Sequence, residues 1–232
     1  MPRAGSAVTR TRTAAMGVLF MLTAAACGGG NDGLLDDTSA DKPIAAVDYL
    51  LTEGPETVGL YASATEEGED DSPTDMFDAE LAACLGQPAE AINPPALDTA
   101  VSATFSDQDS SATQDETVEA GSLAATYTRE QVRTLAAVLA HSDYLTCQNK
   151  SLDSEADLES DVEMTELSTP DGALAAYRVT FGDAAYLDMV HFGRGRVFST
   201  LIVNGSGVNG QRPDTALVER LAEQIARKLR DQ

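Results

Sequence analysis

Three β-rich runs follow one another almost without pause, Ala173 to Phe181, Ala184 to Phe192 and Arg196 to Val203, and they constrain this chain more than any other feature. Gly182-Asp183 separates the first two and Gly193-Arg194-Gly195 the second two. Both breaks read as hairpin turns, so the runs form an antiparallel meander. A helix must then close the chain, because Leu217, Leu221, Ile225 and Leu229 recur at four-residue spacing. Asp214 after Pro213 is placed to cap it, and Arg227, Lys228 and Arg230 suit the negative end of its dipole. Both faces of the meander are half apolar, so helices are expected over part of each side. The fold class implied is α+β, an antiparallel sheet flanked by helices with an amphipathic helix last.

Hairpin loop length fixes which residues face one another. A two-residue first loop sets Tyr177 opposite Asp188, and a three-residue second loop sets Asp188 opposite Thr200. The result is a polar row, Tyr177, Asp188 and Thr200, on an otherwise apolar face. A carboxylate there must be satisfied by its neighbours. The row reads either as a satisfied core carboxylate or as the polar lining of a groove between helix and sheet.

The first half is less regular. Pro43 to Leu51 reads as a short helix and Val58 to Ala64 as a weak strand. Asp75 can cap a helix through Phe77, Leu81, Cys84 and Leu85 that Gly86 and Pro88 stop. Val101, Ala103 and Phe105 alternate as a strand, and a second apolar segment runs from Ser122 to Tyr127. Thr128 with Gln131 forms a capping box for a helix bearing Val132, Leu135, Val138 and Leu139, which leads through Tyr144 and Leu145 to Cys147. Met164 and its neighbours can add a strand.

The amino terminus reads as an export leader. Arg3, Arg10 and Arg12 precede an apolar run from Ala14 to Ala26, too short for a membrane span of about 20 residues. Ala24, Ala25 and Ala26 then lead to Cys27-Gly28-Gly29-Gly30, which presents a thiol for diacylglycerol attachment. Ala24 stands where such sites usually carry Leu, and an ordinary peptidase could cut at the same place and leave Cys27 a free thiol. The expected organisation is a leader over 1–26, a glycine-rich polar tether over 27–42 and one extracytoplasmic domain over 43–232. Outside the leader the cysteines are Cys84 and Cys147. In an oxidising compartment such a pair is most simply a disulfide, with two buried thiols as the alternative.

Charge excludes some partners. A formal net charge of -23 repels nucleic acid and anionic lipid headgroups. No Trp and only 6 Phe and 6 Tyr leave little aromatic surface for stacking sugars or bases.

Motifs with chemistry do not hold together. Gly205 to Gly210 matches G-x-G-x-x-G, but Gln211, Arg212 and Pro213 interpose before any helix, and no second parallel strand follows. The alternating acids Asp153, Glu155, Asp157, Glu159, Asp161 and Glu163 lack the glycine and final glutamate of a calcium loop. His141 and His191 are the only imidazoles and have no zinc-motif spacing. Asp188 and His191, of opposite parity, cannot share a sheet face as a triad would need. No catalytic residue, metal site or cofactor is expected.

The order of elements, from the helix carrying Cys84 through the Phe105 strand, Tyr144-Leu145-Thr146-Cys147, the hairpins and the last helix, resembles a group of actinobacterial envelope lipoproteins. It is similar, more distantly, to the extracellular sensor domain of an actinobacterial Ser/Thr kinase. The resemblance implies a PsbP/Mog1-like α+β domain and a non-catalytic binding or sensor-like role on the outer face of the cell membrane, with the bilayer held through acylated Cys27. The expected partner is an unidentified small ligand or, alternatively, another envelope protein; an extracellular hydrolase is the least favoured reading.

Overall fold

In the computed structural model the described residues are 44–63, 74–107, 117–154, 162–183, 185–206 and 215–232. The leader, Cys27 and the tether lie outside them, as do the acidic alternation over 155–161 and the proposed cap Asp214.

The meander is present as β6 (Ala175–Phe181), β7 (Ala185–Arg194) and β8 (Val197–Ser206). β5 (Val162–Glu166) extends it on one side and β4 (Thr117–Thr126) on the other. β4 pairs in turn with β2 (Asp98–Val101) and β3 (Thr104–Ser106), and β3 pairs with β1 (Tyr61–Ser63). The order is β1-β3-β4-β8-β7-β6-β5, with β2 beside β3 along β4, and every pairing is antiparallel. The expected strand through Val101, Ala103 and Phe105 is thus broken in two. Ser102 causes the break: its hydroxyl accepts from the Ser122 backbone N–H at 2.8 Å, replacing a regular ladder rung with a side-chain contact.

Helices cover both faces. α1 (Thr74–Leu85), α2 (Ala89–Ile92), α3 (Arg129–Leu139) and α4 (Tyr144–Ser154) lie on one. Leu81, Leu85, Val132, Leu135 and Tyr144 from these helices join Met164, Tyr177, Val179, Met189 and Phe198 from the sheet in one apolar cluster. α5 (Thr215–Arg230) and a 3-10 turn over Ala46–Tyr49 cover the other, where Leu221, Ile225, Leu229 and Leu51 meet Phe105, Val190, Phe192, Leu201 and Val203. Full burial of each large apolar side chain contributes about 1.5–3 kcal/mol, so both faces of β6, β7 and β8 are strongly anchored.

Thr128 caps α3 as its sequence implies, accepting from the Gln131 backbone N–H at 3.2 Å while Gln131 Oε1 accepts from the Thr128 N–H at 2.8 Å. Cys84 and Cys147 form a disulfide that ties α1 to α4. The amino-terminal segment is fastened to α5 by side chains 160 to 180 residues away. Glu56 accepts from Arg227 at 2.7 Å and from the Gln224 amide at 3.1 Å. Arg220 and Lys228 donate to the Glu56 and Leu50 carbonyls. The Arg227 and Gln224 hydrogen bonds hold the Glu56 carboxyl at about 2.

Candidate functional site

The polar row does not exist. Phe181 pairs with Ala185, so the first loop holds three residues, and Arg194 pairs with Val197, so the second holds two. Gly182 and Gly195 take the left-handed conformation in these loops, at φ 56° and 57°. Tyr177 therefore faces Met189, and Thr200 faces His191. Asp188 faces Arg178 on one side and Val203 on the other, with its side chain on the opposite face of the sheet from Tyr177 and Thr200. All three residues are buried.

Each finds a separate partner. Arg178 Nε and Nη2 donate to the two Asp188 oxygens at 2.6 and 2.7 Å, and the guanidinium lies over the Tyr186 ring at 5.2 Å. Tyr186 in turn explains Gly205: a Cβ at Gly205 would land on the Tyr186 phenol, so this glycine makes room for an aromatic ring rather than for a phosphate. Gly207 and Gly210 of the same pattern lie outside the described residues. Tyr177 donates to the Leu139 carbonyl at 2.8 Å. Thr200 shares a 3.0 Å hydrogen bond with His191 Nδ1.

His191 is the most perturbed imidazole. Its ring stacks on Phe198 at 5.9 Å and approaches Tyr177 at 6.0 Å, and its Nε2 has no partner among the described residues. Burial alone brings its pKa down to about 4, so it is neutral at pH 7. Burial likewise raises the Tyr144 and Tyr177 hydroxyls above the ordinary tyrosine range. These groups sit inside the core formed by α3, α4 and the sheet. Asp188 and His191 do point to opposite faces, as their parity requires.

The described residues line surface clefts at two places of note. One of about 530 Å³ lies between Thr169, Pro170, Asp171 and the α5 residues Glu219, Glu223 and Arg230. The other, of about 380 Å³, lies beside the disulfide, between Glu80, Ala83, Cys84, Cys147, Lys150 and Ser151. No group of three or more His, Cys, Asp or Glu among the described residues is arranged to hold a metal ion.

The least expected feature is how far the first helical layer reaches. Directly paired residues in an antiparallel sheet share a face, so the registers define rows across it. One row runs Ala175, His191, Thr200, Leu123, Val101. The first three are buried, Leu123 is half-buried, and Val101 is 65% exposed. A second runs Val179, Leu187, Asn204, Glu119, Ser106, Tyr61, from 2% exposure at Val179 to 58% at Tyr61. Exposure thus rises across the sheet from β7 toward β1 and β2. The helical layer still buries Ala125 at one end of β4 but leaves the β1 and β2 side of this face uncovered. Toward that side Leu123 is half-buried, and Val101, Tyr61 and Leu97, the last just before β2 and 61% exposed, are open to solvent, while Ile202 of β8 still packs against the core. Local sequence could not show this face, because Val101 and Leu123 look like ordinary strand core.

Compared with known proteins, the chain matches no protein-family model, and no curated protein sequence is similar enough to count as a match.

Proposed function

We propose that this chain is a lipid-anchored extracytoplasmic protein whose α+β domain binds another envelope protein without catalysing a reaction, through the sheet face that α3 and α4 leave open. The exposed Val101, Tyr61 and Leu97 beside the half-buried Leu123 carry the reading. A soluble surface rarely leaves large apolar side chains together on one face unless something docks there. The perturbed histidine and tyrosines are enclosed rather than gathered in a cleft, which favours binding over hydrolysis. Of the two occupants expected from sequence, a broad open face suits a protein better than a small ligand, which needs concave apolar walls. The cleft beside α5 is lined largely by charged and polar groups, whereas the one beside the disulfide sets Ala83 and the Cys84–Cys147 bridge between Glu80, Lys150 and Ser151.

Export and anchoring rest on the leader from Arg3 to Cys27 and on the disulfide, which suits an oxidising compartment. No described helix is long and apolar enough to cross a membrane, so attachment falls to the acyl chains on Cys27. The test is the full chain expressed with its leader, with a photo-crosslinking residue at Val101 and, separately, at Val58. Membrane-bound product that becomes soluble on Cys27→Ala, with a discrete protein adduct from position 101 and none from 58, is expected. A reduced cytosolic product that keeps residues 1–26, or the same adducts from both positions, overturns it.

A further inference from the structure

The two cysteines of the disulfide lie in unlike surroundings. Cys147 on α4 is 2% exposed, whereas Cys84 on α1 is exposed together with its neighbour Ala83, although Leu81, Ala82 and Leu85 around them are buried. Both cysteines line the cleft of about 380 Å³, which Glu80 and Lys150 flank with opposite charges. Glu80 stands four residues before Cys84 on α1, and Lys150 three residues after Cys147 on α4, spacings that set each charge on its cysteine's side of the helix. Exchange with a thiol requires a thiolate to approach one sulfur along the S–S axis, from the side away from the other sulfur, and access decides which sulfur is attacked. Cys147 is enclosed by the helix-side core, so that approach is open only at Cys84. The cleft lies at the β5 end of the sheet, away from β1 and β2, because α4 packs on β5. It is therefore independent of the docking face.

We propose that this cleft is a thiol-exchange site, at which a thiolate of a dithiol reductant attacks Cys84 Sγ and expels Cys147 Sγ. A bond forms between the reductant's sulfur and Cys84 Sγ as the Cys84–Cys147 bond breaks. Its electron pair leaves on Cys147 Sγ, which takes a proton from solvent. The reductant's second thiolate then displaces Cys84 Sγ, which is protonated in turn. The dithiol departs as a disulfide, having given up two electrons and two protons, and the chain is left with two thiols. Lys150 is a positioning residue for this step, since a cation beside the cleft favours the Cys147 thiolate as it forms. Asn149, next to Lys150, accepts from the Met164 N–H at 2.7 Å and donates to the Met164 carbonyl at 2.9 Å, so α4 stays seated on β5 when the bridge opens.

Native-state reduction tests it on the exported full chain carrying Cys27→Ala, which removes the third cysteine and touches none of the described residues. The chain is treated with dithiothreitol at pH 8 without denaturant, quenched with N-ethylmaleimide at intervals and weighed by mass spectrometry. Reduction is expected at a rate proportional to dithiothreitol concentration and changed less than twofold by 1 M urea, which raises global unfolding roughly thirtyfold. With the monothiol 2-mercaptoethanol followed by N-ethylmaleimide, peptide mapping should find the thiol adduct on Cys84 and the maleimide on Cys147 in at least tenfold excess over the reverse. Lys150→Gln should slow the dithiothreitol reaction threefold or more at low salt with an unchanged melting temperature, and Lys150→Arg should restore it. The absence of reduction, a rate independent of dithiothreitol concentration, or acceleration of tenfold or more by urea would mean that the bridge opens only on unfolding, and each overturns the site. A thiol adduct on Cys147, or one divided equally, overturns it as well. An unchanged rate in Lys150→Gln overturns the part given to the lysine.

Discussion

Replacing Arg178 by methionine separates the two possible settings of Asp188. Asp188 is 1% exposed and both of its oxygens are satisfied by one guanidinium at 2.6 and 2.7 Å. Removing that guanidinium leaves a buried carboxylate without its counter-charge, a change that costs about 3–5 kcal/mol. Coulomb attraction gives the same scale: unit charges about 4 Å apart at an effective dielectric of about 20 interact by roughly 4 kcal/mol. With a urea m-value of about 2 kcal/mol per molar, Arg178→Met should lower the unfolding midpoint by about 2 M at unchanged m. The double variant Arg178→Met, Asp188→Leu should recover most of the loss, because an apolar pair of similar volume pays no desolvation. Tyr177→Phe should cost only about 1 kcal/mol, the value of its bond to the Leu139 carbonyl. Urea unfolding followed by far-UV circular dichroism measures all three. A nearly neutral Arg178→Met beside a costly Thr200→Val would mean that Asp188 faces Thr200 after all.

Further expectations concern pH, the disulfide and the glycine beneath Tyr186. His191 is held near pKa 4 when folded against about 6.5 unfolded, so its stabilising share is complete above pH 6.5 and is lost as pH falls toward 4, about 3 kcal/mol in total. Melting temperatures from pH 8 to 4 should show that slope in the native chain and a shallower one in His191→Gln; equal slopes contradict it. Cys84→Ala with Cys147→Ala opens a cross-link of sequence separation 63 and should cost about 4 kcal/mol, read by urea unfolding, with no effect of reductant on the variant. Gly205→Ala forces the Tyr186 ring from its place and should cost about 1–3 kcal/mol, and adding Tyr186→Leu should return part of it.

Much of the architecture is legible in the sequence because single elements carry their own signals. The capping box at Thr128 and Gln131, the leucine spacing of α5 and the glycines at the hairpins place helices and strands without reference to one another. Register is different. β7 and β8 are buried on both faces, so apolar residues occur at both parities and alternation no longer distinguishes one pairing from the next. Only the loops remain: Gly182-Asp183 fits a loop of two or three residues, and the second loop proves to be Gly195-Arg196, with Gly193 and Arg194 paired inside β7. One residue of error in the first hairpin moved Tyr177 to the other side of the sheet from Asp188. The Glu56 contacts with Arg227 and Gln224 join residues about 170 apart in sequence and leave no local mark. Nor does the open face, since it depends on where a layer of helices stops.

Hydroxyl-radical footprinting of the exported chain tests most directly whether that layer leaves the β1 and β2 side of the face open. Tyr61, Leu97 and Val101 should be oxidised at rates near those of free peptides, while Tyr144, Met164 and Met189 stay protected. Protection of Tyr61 and Val101 equal to that of Met189 would mean the face is covered, and no surface would remain for a partner to occupy.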